Sequence, residues 1–241
     1  MFRFSLRKPG IVLAALAMAV CLGMGVAKAC DDDAYPPAAK TLAPITVLQK
    51  GETRSIYLTD VYDHHGGVCA GATLAFRAVQ HGMDLLFGQQ TPDLDDVVIL
   101  TLAPGGPMDL LDLIVRGTGP GSRTWPPPGI AGGTDKFVFQ FMRKSTMQMV
   151  TLRLNTELWP EDWFILRAKT KEGTISEAES AKRSRDRQGM LDNFTRLKAA
   201  ELFGEAEVAH FVAWGAIVPG EIDRHIRDMR RQARAGDSGE L

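Results

Sequence analysis

Apolar residues at Ala72, Ala75, Phe76, Val79, Met83 and Leu86 recur at spacings of three and four, the period of a helix with one buried face. Gly88 closes the stretch, as glycine commonly does at a helix end. Upstream, the alternation of polar positions with Ile56, Leu58 and Val61 over Arg54 to Tyr62 predicts a strand running into a loop at His64-His65. Val97 to Ala103 is a continuous apolar run of strand length, the pattern of a strand covered on both faces. Pro104-Gly105-Gly106-Pro107 then turns the chain into a short helix, Met108 to Val115, and Phe137 to Met142 and Met147 to Leu154 predict two strands joined around Lys144-Ser145-Thr146. The order strand, helix, strand, helix, strand, strand predicts an α+β or α/β domain over residues 45–172, a mixed sheet packed with helices. From Gly173 the chain turns charged and helical. Met190, Leu191, Phe194 and Leu197 form one apolar face, and Ile222, Ile226 and Met229 form another beyond Pro219-Gly220, so residues 173–241 read as a helical C-terminal extension. Lys182, Arg183, Arg185 and Arg187, interrupted by Asp186, read as a solvated helix face, with a docking surface as the alternative.

The N-terminus changes the compartment in which this fold is expected to work. Arg3, Arg7 and Lys8 precede an apolar run from Ile11 to Val26, and Ala27-Lys28-Ala29 sets small residues about a cleavage point, the three-part secretory pattern. Residues 1–29 are therefore expected to be a signal peptide. The mature protein is expected to be periplasmic or otherwise exported, with no stable membrane span. Acylation of Cys30 as a lipoprotein is the weaker alternative, because Lys28 is penultimate and no Leu stands at Val26 or Ala27. Cleavage removes four basic residues and no acidic one from the 28 basic and 29 acidic, leaving a net charge of about −5 at pH 7. A mildly acidic exported chain without a basic cluster is a poor nucleic-acid binder. Residues 30–44, rich in Asp, Ala and Pro, read as a flexible lead-in. Only Cys30 and Cys69 remain after cleavage, too few for a disulfide-stapled scaffold, although a Cys30–Cys69 disulfide would compete with metal binding at Cys69.

Candidate chemistry concentrates in His65-Gly66-Gly67-Val68-Cys69-Ala70-Gly71, where an imidazole and a thiol stand four residues apart at the entrance to the first helix. Both are ligands for soft or borderline metal ions, zinc among them. A thiolate at a helix start is favoured by the helix dipole. The competing reading of Cys69 alone is an inert thiol beside the Ala72 and Phe76 stripe. Two donors complete neither a structural nor a catalytic zinc site, so a third is sought from His64, Asp63 or the Gly105 to Asp109 segment. The fourth is left to a bound small molecule or a second copy of the chain. His64 and His65 are neighbours and point in different directions on an extended chain, so at most one serves the same ion. The turn at Gly105 and Gly106 exposes backbone NH groups at a helix start, a weak anion-binding signal. Gly117 to Gly133 is rich in Gly and Pro around Trp125, as in a binding loop or a disordered segment. Trp125 would cover a ligand there or simply anchor the loop.

The succession His65-Gly66, Cys69, Gly71, Leu74, Arg77-Ala78, the strand Val97 to Ala103, Asp109 opening a helix, and Phe137 to Lys144 resembles the formylmethanofuran dehydrogenase FmdE-like domain family over roughly residues 55 to 155. The resemblance implies a site around His65 and Cys69, with Arg77 as an anion contact or a brace for the His65 loop, and an aromatic strand ending at Arg143-Lys144. The chain also departs from that pattern. The family's second His is Gly67 here, its Pro after the Cys is Ala70, and the Cys before its second helix is Gly106. The expected function is an exported FmdE-like protein that binds a transition metal or metal-bearing small ligand and hands it to an exported partner, rather than an enzyme. The alternatives are a metal-dependent hydrolase and a non-catalytic interaction protein with a decayed site.

Overall fold

A computed structural model describes residues 35–117, 133–211, 224 and 226–231. The predicted signal peptide, Cys30, Trp125 and Ile222 lie outside the described residues. The fold is α+β, with helices packed against two antiparallel sheets. A hairpin of β1 (Ile45–Gln49) and β2 (Glu52–Ile56) precedes α2 (Leu58–His65), while α1 (Pro37–Thr41) leads into it. Part of the stretch read as a flexible lead-in is thus helical, with Ala39 buried. Lys50 and Gly51 both take positive φ, at 54° and 83°, which is the primed turn that matches the right-handed twist of a two-residue hairpin.

The element at residues 58–65 differs from expectation. Leu58, Val61 and Tyr62 suit a helical face as well as an alternating strand, and the Asp60 carboxylate accepts the Tyr57 NH at 2.8 Å to start a helix. That helix stops at His65 because Gly66 enters the left-handed region at φ 90° and the Gly67 NH reaches back to the Tyr62 carbonyl at 2.8 Å, the paired bonds of a Schellman stop. Gly67 itself, at φ 149°, stands where a side chain would be strained.

The long helix α3 (Ala70–Phe87) is the axis of the core. Around it lie α4 (Gly106–Arg116), α6 (Glu177–Arg196) and the second sheet, ordered β3 (Val97–Thr101), β4 (Val138–Arg143), β5 (Gln148–Arg153), β6 (Ala209–His210). The paired register Val97↔Arg143 and Arg143↔Gln148 places the predicted β4–β5 turn as expected. The Asp96 carboxylate fastens that turn by accepting the Ser145 NH and hydroxyl, each at 2.6 Å. β3, in contrast, is the end strand of this sheet among the described residues, and Leu100 is 56% exposed. Its apolar run is half-buried from Val97 to Ile99, open at Leu100 and Leu102, and buried at Thr101 and Ala103. Helix α5 (Trp163–Glu172) begins ten residues before the expected extension, and α6 supplies Met190, Leu191 and Phe194 to the same core. α7 (Ala199–Phe203) and the short β6 bring the chain back to that core and sheet. No described helix is long and apolar enough to cross a membrane.

Three arginines hold helix ends. Arg54 donates to the carbonyls of Leu113 and Ile114 at the end of α4, at 2.7 and 3.2 Å. Arg77 donates to those of Thr195 and Leu197 at the end of α6, at 3.3 and 3.0 Å. Arg143 donates to the Leu86 carbonyl near the end of α3, at 3.3 Å. Each puts a cation where the helix dipole is negative and its carbonyls lack partners.

Gly82 lets α3 approach the sheet, since a Cβ there would meet the Phe141 ring at 2.5 Å. Gly82→Ala is expected to destabilise the fold by about 1–3 kcal/mol through overpacking, against its gain in helix propensity. Urea denaturation checks this: a lowered midpoint at constant slope is expected, and an unchanged midpoint would show that the ring yields freely.

Candidate thiol site

The Schellman stop ends α2 at His65, and four residues later Cys69 occupies the N-cap of α3 with extended backbone. Between them Val68 is held by Arg187 of α6, whose guanidinium donates to the Val68 carbonyl. The start of α4 closes the third side. Gly105 turns the chain at φ 76°, and Gly106 packs so tightly that a Cβ would stand 2.8 Å from the Cys69 sulfur and 2.9 Å from the Ala72 Cβ. Glycine at position 106 is therefore a close-approach requirement of this thiol.

One turn into α4, Asp109 is 1% exposed and its Oδ2 lies 2.5 Å from His65 Nδ1. Nδ1 is the donor of that bond, and the Cys69 thiol is the second side chain that acts on the imidazole. The Asp109 bond first, and the Cys69 bond second, push the His65 pKa up to about 10 against the opposing effect of burial. For Cys69 burial is the largest single influence and pushes the thiol up. The hydrogen bond and positive charge of His65, with the NH groups of Ala72 and Gly71 at the helix start, together outweigh it and bring the pKa below the ordinary thiol value. No conventional side-chain cap forms at Cys69, so these NH groups act on the sulfur as dipoles. Among the described residues Cys69 has no disulfide partner. The pair sets a thiol of lowered pKa against an imidazole of raised pKa, with the buried Asp109 side chain behind the ring.

The remaining predicted residues are distributed elsewhere. His64 Nε2 lies 3.4 Å from Asp112 Oδ2, and Asp63 accepts the Tyr35 hydroxyl; both line a separate hollow with Arg54 and Asp60. Consecutive positions on a helix diverge by about 100°, so His64 and Asp63 do not join Cys69. Asp109 stands behind His65 and does not line the cavity that holds the thiol. Arg77 braces α6 instead of the His65 loop. Arg143, expected at the site, binds Asp96 at 3.1 Å and stacks 4.4 Å from the Phe87 ring, and Lys144 is buried in the β4–β5 turn. Among the described residues no group of three or more His, Cys, Asp and Glu side chains converges to hold a metal ion. His65 and Cys69 offer two donors, short of the three or four zinc takes from protein.

The thiol opens into a cavity of about 360 Å³. Gly105, Gly106, His65, Cys69 and Gly71 line it together with Phe137, Trp159, Trp163, Phe164, Arg167, Arg183 and Arg187. Trp159 is the hub of the aromatic wall, 4.4 Å from Phe137, 5.9 Å from both Phe164 and Phe194, and edge-on to Trp163 at 6.1 Å between ring centres. Arg183 and Arg187 are thus not members of a wholly solvated face. Ser180, Arg183, Ser184 and Arg187 occur at helical spacing i, i+3, i+4, i+7, a polar stripe legible in the sequence once a partner for that face is suspected.

The chain matches no family model, and no curated protein is significantly similar to it.

Because the folded pKa of His65 lies above the ordinary histidine value of 6.5, its contribution to stability is complete below about 6.5 and is lost as pH rises through about 10. Asp109→Asn removes the largest cause of the shift, so NMR titration of the His65 ring should give a lower pKa. Thermal melts should show a loss of stability at pH 6 that shrinks toward pH 11. An unchanged His65 titration would remove Asp109 from this role.

Proposed function

We propose that the protein is an exported thiol enzyme, in which Cys69 attacks an electrophilic acyl carbon of a small substrate and His65 and Asp109 complete the catalytic set. The observation that carries this reading is the chain of contacts from Asp109 Oδ2 to His65 Nδ1, 2.5 Å long, and on from the imidazole to a thiol of lowered pKa in an open cavity. Such a nucleophile, base and orienting carboxylate is defined by geometry and roles. The thiolate forms a bond to the acyl carbon, and the imidazolium gives its proton to the leaving group as that bond breaks. Once the sulfur is acylated its charge no longer holds a proton on His65. The neutral imidazole then takes a proton from water, whose oxygen attacks the thioester, and the acid leaves as the thiolate and imidazolium are restored. Export is supported by the charged, apolar and small-residue succession of residues 1–29.

A second reading keeps the FmdE-like expectation of a transition metal, zinc included, or a metal-bearing small ligand. A carboxylate behind a histidine also orients metal-binding imidazoles, which favours His65 and Cys69 as two protein donors, with the others supplied by the ligand or another chain.

p-Nitrophenyl acetate and cobalt(II) separate the two. Under reducing conditions the ester should give a burst of nitrophenolate and an acetyl group on Cys69 by mass spectrometry. Cys69→Ser should lose the burst, and His65→Ala should slow acylation about 10²–10⁴-fold. Release independent of Cys69 would overturn the enzyme reading. Stoichiometric cobalt binding, with thiolate charge-transfer absorption lost in Cys69→Ser, would favour the metal reading.

A further inference from the structure

We infer that the cavity in front of Cys69 selects a carboxylate-bearing substrate with a flat apolar body, read by arginines of α5 and α6 that line it together with the thiol; this rests on the thiol-site reading for its chemistry, although the anion pocket itself does not. Arg167, Arg183 and Arg187 all line the cavity, and among the described residues no acidic side chain does. None of the three is in an ion pair among the described residues, whereas Lys169 and Lys182 on the same two helices pair with Glu179, Asp162 and Asp186. Arg183 is the best placed. Its guanidinium lies 5.1 Å from the centre of the Trp163 ring, one terminal nitrogen donates to Thr170 at 3.1 Å, and its Nε is buried without a partner.

A second orphan donor lies in the same wall. Trp159 is 6% exposed and its Nε1 is buried with no hydrogen-bond partner among the described residues. Buried donors of this kind are ordinarily satisfied by protein, water or ligand. Two residues with buried, unsatisfied NH groups line one cavity with guanidiniums that are in no ion pair among the described residues, and arginine forks match carboxylate geometry. Phe137, Trp159, Trp163 and Phe164 supply flat apolar contact. A cavity of about 360 Å³ is at the small end of ligand sites, which suits a single-ring or short-chain acid. Arg187 also fixes the Val68 carbonyl beside Cys69, so the anion wall and the thiol loop share a residue.

The test compares two alkylating agents of similar size, iodoacetate and iodoacetamide, on the reduced full-length protein. Each forms a thioether on Cys69 and releases iodide. Their rate ratio divides out changes in thiolate population, and free cysteine gives the reference ratio. The expected ratio favours iodoacetate over that reference by about tenfold or more, the size of one charge-assisted hydrogen bond. It should fall toward the reference in Arg183→Gln and Arg167→Gln and with added salt. In parallel, benzoate should quench tryptophan fluorescence saturably, in the natural protein and in Cys69→Ser alike, while benzamide should not. Loss of that response in Arg183→Gln with an unaltered circular dichroism spectrum supports the pocket. Benzoate binding with an unreactive Cys69 would overturn the thiol reading and leave the anion pocket standing. A reference-like alkylation ratio, or equal responses to benzoate and benzamide, would overturn the pocket while leaving the thiol reading intact.

Discussion

The bond between Asp109 and His65 is the constraint on which the site depends. It joins the first turn of α4 to the last residue of α2. It can form only because Gly66 and Gly67 end α2 at that residue and Gly105 and Gly106 bring α4 against the thiol. A buried carboxylate beside a neutral imidazole would be costly; beside an imidazolium it is paired. Asp109 and Cys69 thus both favour the protonated form of His65. Local backbone chemistry, the packing of three helix termini and the protonation state of the site are one arrangement.

The helices α5 and α6 that line the cavity turn this reactive centre into a selective one. α5 and α6 bury Trp163, Leu166, Met190, Leu191 and Phe194, which fixes them to the core and leaves their arginine-bearing faces toward the thiol. The division of labour among arginines follows from their surroundings. Arg54, Arg77 and Arg143 satisfy helix-terminal carbonyls, while Arg167, Arg183 and Arg187 face a cavity without carboxylates. The region read from composition as an appendage is one wall of the site.

Much of the core was legible because it is periodic. The 3.6-residue stripe of α3, the short helix after Pro104 to Pro107 and the β4–β5 hairpin all follow their patterns. The pair His65 and Cys69 was legible as chemistry, and Asp109 was named as a residue near it. Its role as the partner of His65 was not, because spacing of 44 residues carries no geometric information. The strand expected over residues 54–62 holds only to Ile56, because Ile56, Leu58 and Val61 fit both periods and the capping carboxylate of Asp60 decides for helix beyond Tyr57. β3 looked doubly covered because an apolar run does not reveal that its sheet ends there. The arginine wall was hidden for the opposite reason. A charged face reads as solvated until the tertiary fold shows what it faces.

The most direct measurement is the ultraviolet titration of the Cys69 thiolate near 240 nm, taken as the difference between the reduced natural protein and Cys69→Ser. A thiolate paired with the His65 imidazolium predicts a midpoint below the ordinary thiol value, moving upward in Asp109→Asn. A thiol that ionises only at or above its ordinary value of 9.0, with the same midpoint in both backgrounds, would contradict the ion pair.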